Sequence, residues 1–82
     1  MQASQIRAAR SLVGIEQKDL AERVGIAVAT LRRMERDDIG PDRSQAGVVR
    51  KVVAELESLG AVFLTENGNG PGVAHRKAPA DG

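Results

Sequence analysis

Three arginines, Arg32, Arg33 and Arg36, lie within five residues of one another in a segment with few other polar side chains. A guanidinium group holds its donors in a planar fork, which pairs with phosphate oxygens or with O6 and N7 of guanine. Val28 and Ala29 precede the arginines and offer only methyl groups, which can contact the C5-methyl of thymine. Charge alone is equally consistent with a solvated helix face. The elements that position these side chains distinguish the two interpretations.

The segment around the arginines has the pattern of two short helices joined by a tight turn. Apolar residues at helical spacing predict one helix from residue 16 or 17 to residue 24 and another over 28–36. Gly25 between them can adopt the left-handed backbone conformation that ends a helix without steric cost. This pattern is typical of a helix-turn-helix, whose second helix enters the major groove of DNA.

Two further helices are predicted on either side of this pair. The first covers residues 4–13, with Ser4 as its N-cap and Gly14 just past its end. A loop follows the helix-turn-helix at 37–43 and contains a Gly-Pro pair. The next helix runs from residue 44 or 45 to residue 58 and has a wide stripe of valines and leucines.

The C-terminal part of the chain predicts a β-hairpin. Short apolar runs at 61–65 and 72–76 flank two Asn-Gly pairs, which favour tight hairpin turns. An isolated two-stranded hairpin is marginal in water, so this one must pack on something. We expect it to pack on the fourth helix and to form a dimer contact through Val62, Phe63, Leu64 and Val73. The expected organisation is a DNA-binding domain over 1–60, the hairpin over 61–76 and a disordered tail over 77–82.

The composition restricts the class of protein. The chain has 82 residues, the size of one domain, and no cysteine. Its net charge is +1, but residues 1–36 carry +3 and residues 37–82 carry −2, so positive charge is concentrated around the arginines. Phe63 is the single aromatic residue, which disfavours recognition of RNA or single strands by base stacking. His75 is the single histidine, so no metal, cofactor or Cys/His nucleophile is expected, and an enzyme is the least favoured class.

The sequence also bears on localisation. No apolar run approaches the roughly 20 residues that a membrane-spanning helix needs. The first residues lack the apolar stretch of a signal peptide. The lack of cysteine is consistent with a reducing compartment. We therefore expect a soluble, cytoplasmic protein with no membrane partner.

Residues 6–41 resemble the Cro/C1-type helix-turn-helix family, also called the XRE family, of phage repressors and bacterial regulators. The resemblance depends on the joint spacing of matching residues, which are Gln17, Leu20, Ala21, Gly25, Ile26, Thr30, Leu31, Glu35, Arg36 and Pro41. The segment 59–73 separately resembles the ending of many short bacterial members. Together these matches imply a mainly α, lambda-repressor-like fold of about four helices with a C-terminal β-hairpin.

The resemblance also implies roles for individual residues. In this family the first residue of the second helix bonds a DNA phosphate, and residues of the third helix reach base edges. Carried onto this chain, the base contacts are Val28, Ala29 and Arg33. The contacts with the DNA backbone are Gln17, Thr30, Arg32 and Arg36. The chain departs from the family pattern at Ala27, where a polar N-cap is usual, and at Asp37, where a glycine is usual.

The implied function is a sequence-specific regulator of double-stranded DNA, expected to act as a homodimeric repressor that reads an inverted repeat. The alternative is an antitoxin or other interaction module that binds a toxin and represses its own promoter. Contact with RNA polymerase through an acidic patch also stays open. Glu35 is interpreted as one half of an intramolecular ion pair, with Arg10 as a candidate partner.

Overall fold

The computed structural model describes residues 1–64 and 72–76. In chain order the elements are α1 (Ala3–Val13), α2 (Gln17–Val24), α3 (Val28–Met34), a 3-10 turn (Pro41–Arg43), α4 (Ala46–Ser58), β1 (Ala61–Leu64) and β2 (Gly72–His75). The predicted architecture, mainly helical with a C-terminal antiparallel hairpin, is confirmed. The Asn-Gly turn and the tail predicted over 77–82 lie outside the described residues.

An apolar core within residues 1–64 and 72–76 receives side chains from all four α-helices. Its largest fully buried members are Ile6, Leu20, Leu31, Met34, Val52 and Leu56. Burying an aliphatic side chain of this size stabilises a fold by about 1.5–3 kcal/mol. Ala21 is also buried on α2, where a small side chain lets the neighbouring helices approach closely. The 3.6-residue periodicity of the sequence therefore turns the apolar faces of these helices towards a shared core.

The turn between α2 and α3 forms as predicted around Gly25. This residue has φ 83° and ψ 35°, in the left-handed region where a Cβ atom would be strained. Its N–H and the N–H of Ile26 both donate to the carbonyl oxygen of Ala21, at 2.9 and 3.0 Å. The carbonyl group of Ala21 near the end of α2 is satisfied in this way, and α3 starts only three residues after Gly25.

The start of α1 differs from the prediction. The helix begins at Ala3 rather than at residue 4, and its N-cap is Gln2 rather than Ser4. The backbone N–H of Gln2 donates to Oε1 of Gln5 at 2.9 Å. Gln5 therefore satisfies this end of the helix from inside the first turn, and Ser4 stays exposed.

The hairpin packs on α1 as well as on α4, whereas the sequence led us to expect α4 alone. Both strands contact α1, and β1 also contacts α4. Phe63 and Val73 face each other across the strands and pack against the core. The Gln5 side chain donates from Nε2 to the carbonyl oxygens of Leu64 and Gly72, at 3.2 and 3.1 Å. The start of α1 is thus joined to both strands by one buried amide.

Replacing Gln5 with leucine is expected to lower the free energy of unfolding by about 1–3 kcal/mol. Leucine removes the donor of two strand carbonyls and the acceptor of the Gln2 N–H, which leaves polar groups unpaired near the core. Urea unfolding followed by circular dichroism measures the change. Ser4→Ala, at the exposed neighbouring position, is the control and should change stability by less than about 0.5 kcal/mol. Equal midpoints for the two variants would contradict the bridging role of Gln5.

Candidate nucleic-acid interface

A buried carboxylate at the end of α3 fixes the orientation of this helix. Glu35 is the C-cap residue of α3, and its side chain is 3% exposed. Arg10 of α1 donates from Nε to Oε2 at 2.8 Å and from Nη2 to Oε1 at 2.9 Å. Gln17 of α2 donates from Nε2 to Oε1 at 3.1 Å. Three helices therefore meet at one carboxylate, and the predicted pairing of Glu35 with Arg10 is confirmed.

Further contacts from α1 reach the connection to α2 and the end of α3. Arg10 also donates from Nη1 to the carbonyl oxygen of Ile15 at 3.1 Å, in the connection to α2. Arg7 donates from Nη1 to the carbonyl oxygen of Glu35 at 2.5 Å and to Oδ1 of Asp37 at 2.9 Å. α3 is thus held by its backbone and by its C-cap side chain, so its exposed face has a defined position on the domain.

The helix is shorter than predicted, ending at Met34 instead of Arg36. The N–H of Glu35 is shared between the carbonyl oxygens of Leu31 and Arg32, at 3.1 and 3.2 Å. The N–H of Arg36 donates to the carbonyl oxygen three residues earlier, at 3.2 Å. Such i to i−3 bonds tighten the final turn to 3-10 geometry, as is common at helix ends. Arg36 therefore follows α3 and does not lie on it.

The outer face of α3 presents most of the predicted base-contacting and backbone-contacting side chains. Ala29, Arg32 and Arg33 are exposed, and Thr30 is partly exposed. Val28 is half-buried and packs against the core, so only part of its methyl surface is available. This residue was expected on the outside or edge of the helix, and the structure places it at the edge.

The guanidinium groups near α3 differ in their partners. Arg32 and Arg33 form no ion pair with any residue in the described part of the chain, and Arg33 makes one long bond, 3.4 Å, to Oγ1 of Thr30. Arg36 instead pairs with both oxygens of Asp38, at 3.0 and 2.7 Å. Exposed pairs of this kind are worth only about 0–1 kcal/mol, so a phosphate can displace Asp38 at small cost.

The sequence pattern singled out Gln17 and Ala27, and both lie next to α3. Gln17 is half-buried and uses one of its two amide hydrogens on Glu35. Ala27 is the N-cap of α3, and no side chain caps this end, as the sequence predicted. The Gln17 amide therefore contacts the C-terminal end of α3 and helps to orient this helix.

Arg43 is a basic residue near α3 that the sequence prediction left out. The region 37–43 was expected to be a loop, but Pro41–Arg43 form a 3-10 turn that leads into α4. Arg43 lines a groove of about 580 Å³ together with Thr30, Arg33 and Val48. The proline could have indicated this turn, because its fixed φ suits the first position of a helical turn. We call this feature the α3–α4 groove; its other lining residues are Ile26, Ala27, Ile39, Ser44 and Gln45.

The described residues show no group of three or more His, Cys, Asp or Glu side chains that could hold a metal ion. Among the helices in the described ranges, none combines the length and the apolar character required to cross a membrane.

In this chain α3 is fixed by its neighbours, follows a tight glycine turn and presents two arginines on its outer face. This arrangement is typical of DNA-binding helix-turn-helix domains. The sequence matches the family model described as helix-turn-helix over residues 6–47, just over half of the 82-residue chain. This chain belongs to the Cro/C1-type, or XRE, helix-turn-helix family of DNA-binding transcription regulators. No curated protein matches the chain.

Proposed function

We propose that this protein is a sequence-specific regulator of double-stranded DNA that acts as a homodimeric repressor on an inverted repeat. The observation that carries the proposal is the presentation of Ala29, Arg32 and Arg33 on one face of a helix tied to its neighbours through Glu35. A helix held in this way can place side chains against base edges with little further loss of conformational freedom.

The proposed contacts fall into two classes with different effects on binding. Val28, Ala29 and Arg33 contact bases, with Arg33 donating to O6 and N7 of a guanine. Gln17, Thr30, Arg32 and Arg36 contact the DNA backbone, and Arg36 exchanges Asp38 for a phosphate as it binds. Phosphate contacts position the protein, whereas base contacts supply its sequence preference. We add Arg43 to the backbone class, because it lies on the same groove as Arg33.

The register of the hairpin divides the four residues of the proposed dimer contact between two faces of the sheet. Phe63 and Val73 share the inner face, whereas Val62 and Leu64 lie on the opposite face and are 37% and 46% exposed. The outer face contains only apolar side chains and glycine within the described strands, its other members being Gly72 and Ala74. An uncharged apolar patch can pack against a copy of itself across a two-fold axis. We therefore propose that Val62 and Leu64 form the contact, with Phe63 and Val73 supporting it from the inner side.

Replacing Leu64 with glutamate is expected to convert the dimer to monomer at tens of micromolar, because two like charges would meet at the two-fold axis. Sedimentation velocity of the full chain measures the change. Lys18→Gln, an exposed position on α2, alters the net charge by the same amount and is the control. A wild-type chain that sediments only as monomer would contradict the dimer, and an unchanged Leu64→Glu dimer would place the contact elsewhere.

The proposed function is tested by selection from a randomised duplex pool at two salt concentrations, followed by sequencing of the retained DNA. We expect a palindromic motif with half-site centres about 34 Å apart, one turn of DNA, and an affinity that falls steeply with salt. An enriched motif without symmetry would contradict the dimeric mode. Retention without any sequence preference would contradict specific regulation and favour a role as a partner-binding module.

A further inference from the structure

The α3–α4 groove is lined by both apolar and cationic residues. Ile26, Ile39 and Val48 are half-buried and line it, and Arg33 and Arg43 belong to the same lining. Its lining residues come from two parts of the chain, 26–33 and 39–48. Its volume of about 580 Å³ falls within the range of about 300–1,000 Å³ that is usual for small-molecule sites.

The charge of the groove is unbalanced. None of its lining residues is acidic. Arg33 bonds only Thr30 among the described side chains, at 3.4 Å, and Arg43 forms no ion pair within 1–64 and 72–76. The complement of two guanidinium groups beside three aliphatic side chains is a molecule with an anionic head and a short apolar chain.

We infer that the α3–α4 groove is a binding site for a small amphipathic carboxylate. The carboxylate accepts hydrogen bonds from Arg33 and Arg43, and the aliphatic chain covers Ile26, Ile39 and Val48. Because Arg33 is also the proposed base-reading residue, a bound carboxylate competes with DNA for the same guanidinium. This last step rests on the proposed function, and it makes the carboxylate an effector that releases the protein from DNA.

The binding step is tested on the DNA-free chain by titration with sodium octanoate, followed in amide proton–nitrogen spectra. Saturable shifts are expected at the backbone amides that line the groove, including Ile39 and Val48. Sodium acetate has the charge without the chain, and 1-octanol has the chain without the charge, so neither should produce the same shifts at equal concentration. Shifts confined to the hairpin, or equal shifts with 1-octanol, would overturn the assignment.

Arg43→Gln is expected to weaken octanoate binding by about tenfold, the loss of roughly one charge-assisted hydrogen bond. Arg43 is exposed, so this change should leave the fold intact. The matched control is Arg50→Gln, an exposed arginine on α4 that does not line the groove. Equal weakening by both variants would show that octanoate responds to net charge alone, which overturns the site.

The coupling to DNA is a separate measurement. Fluorescence anisotropy with a labelled duplex from the selected pool gives the apparent Kd with and without octanoate. The apparent Kd should rise with octanoate in the wild-type chain and rise less in Arg43→Gln. Saturable octanoate binding without any change in the apparent Kd would overturn the effector role. Failure to bind DNA would overturn the proposed function while leaving the octanoate titration of the free chain interpretable.

Discussion

Replacing Arg10 with methionine is expected to lower the free energy of unfolding by about 3–5 kcal/mol. The side chain of Glu35 is 3% exposed, so methionine leaves a buried carboxylate with Gln17 as its remaining side-chain donor. Arg10→Met also removes the hydrogen bond from Arg10 to the carbonyl oxygen of Ile15, which adds to the loss of stability. Urea unfolding of the full chain, with the slope compared between variants, measures the change. A loss below about 1 kcal/mol would show that the pair contributes no more than an exposed one.

The double variant Arg10→Met with Glu35→Met is the matched control for this prediction. Methionine at both positions removes the two charges together and fills the space with apolar side chains of similar length. Buried pairs replaced in this way often lose little stability, so the double variant should be more stable than Arg10→Met alone. The difference between the double change and the sum of the single changes gives the coupling of the pair. A double variant as unstable as the sum would contradict a direct interaction.

Replacing Arg33 with alanine is expected to relax sequence preference at one or two base pairs of the selected motif. A bidentate contact with guanine contributes about 1–3 kcal/mol of discrimination, so the ratio of Kd values should fall roughly 5- to 150-fold there. Arg33 is exposed and forms no ion pair in the described part of the chain, so the fold should be retained. Repetition of the pool selection with the variant gives the positions that lose preference.

Arg32→Ala is the control that distinguishes the loss of a base contact from the loss of one positive charge. Both variants remove one exposed arginine from α3, so their net charges are equal. Arg32→Ala should weaken binding evenly across sequences and reduce the slope of log K against log salt by about 1. If Arg33→Ala behaves in the same way, Arg33 is a backbone contact and another residue reads the bases.

The helices and the tight turn were largely predictable, because their signals are local. The apolar spacing of α2 and the glycine after it predicted the correct end at Val24 and a start at residue 16 or 17, since both signals act within a few residues. The predicted start of α1 was wrong. Ser4 has a side chain that is common at the N-cap, but Gln5 accepts from the N–H of Gln2 and also donates to the distant Leu64. The predicted end of α3 was wrong by two residues, because the last turn tightens to 3-10 geometry and Arg7 of α1 binds the carbonyl oxygen of Glu35.

The sequence predicted which residues of α3 are exposed at the candidate site, but it did not predict which residues lie beside them. The exposed positions of Ala29, Arg32 and Arg33 follow from helical periodicity once Leu31 and Met34 are buried. The pairing of Arg36 with Asp38 and the approach of Arg43 to α3 depend on how the chain turns after Met34. Those backbone angles are set by contacts outside the segment, so the sequence pattern does not specify them.

The sequence by itself determined the family, the order of the elements and the arginines of α3, because periodicity, glycine conformation and residue spacing are properties of neighbouring residues. Only the tertiary structure decided which polar groups are satisfied by which partners. Arg10 and Glu35 are 25 positions apart, and Gln5 and Gly72 are 67 positions apart. Buried polar groups must find hydrogen-bond partners wherever the packed core places them, and that placement is a property of the whole fold.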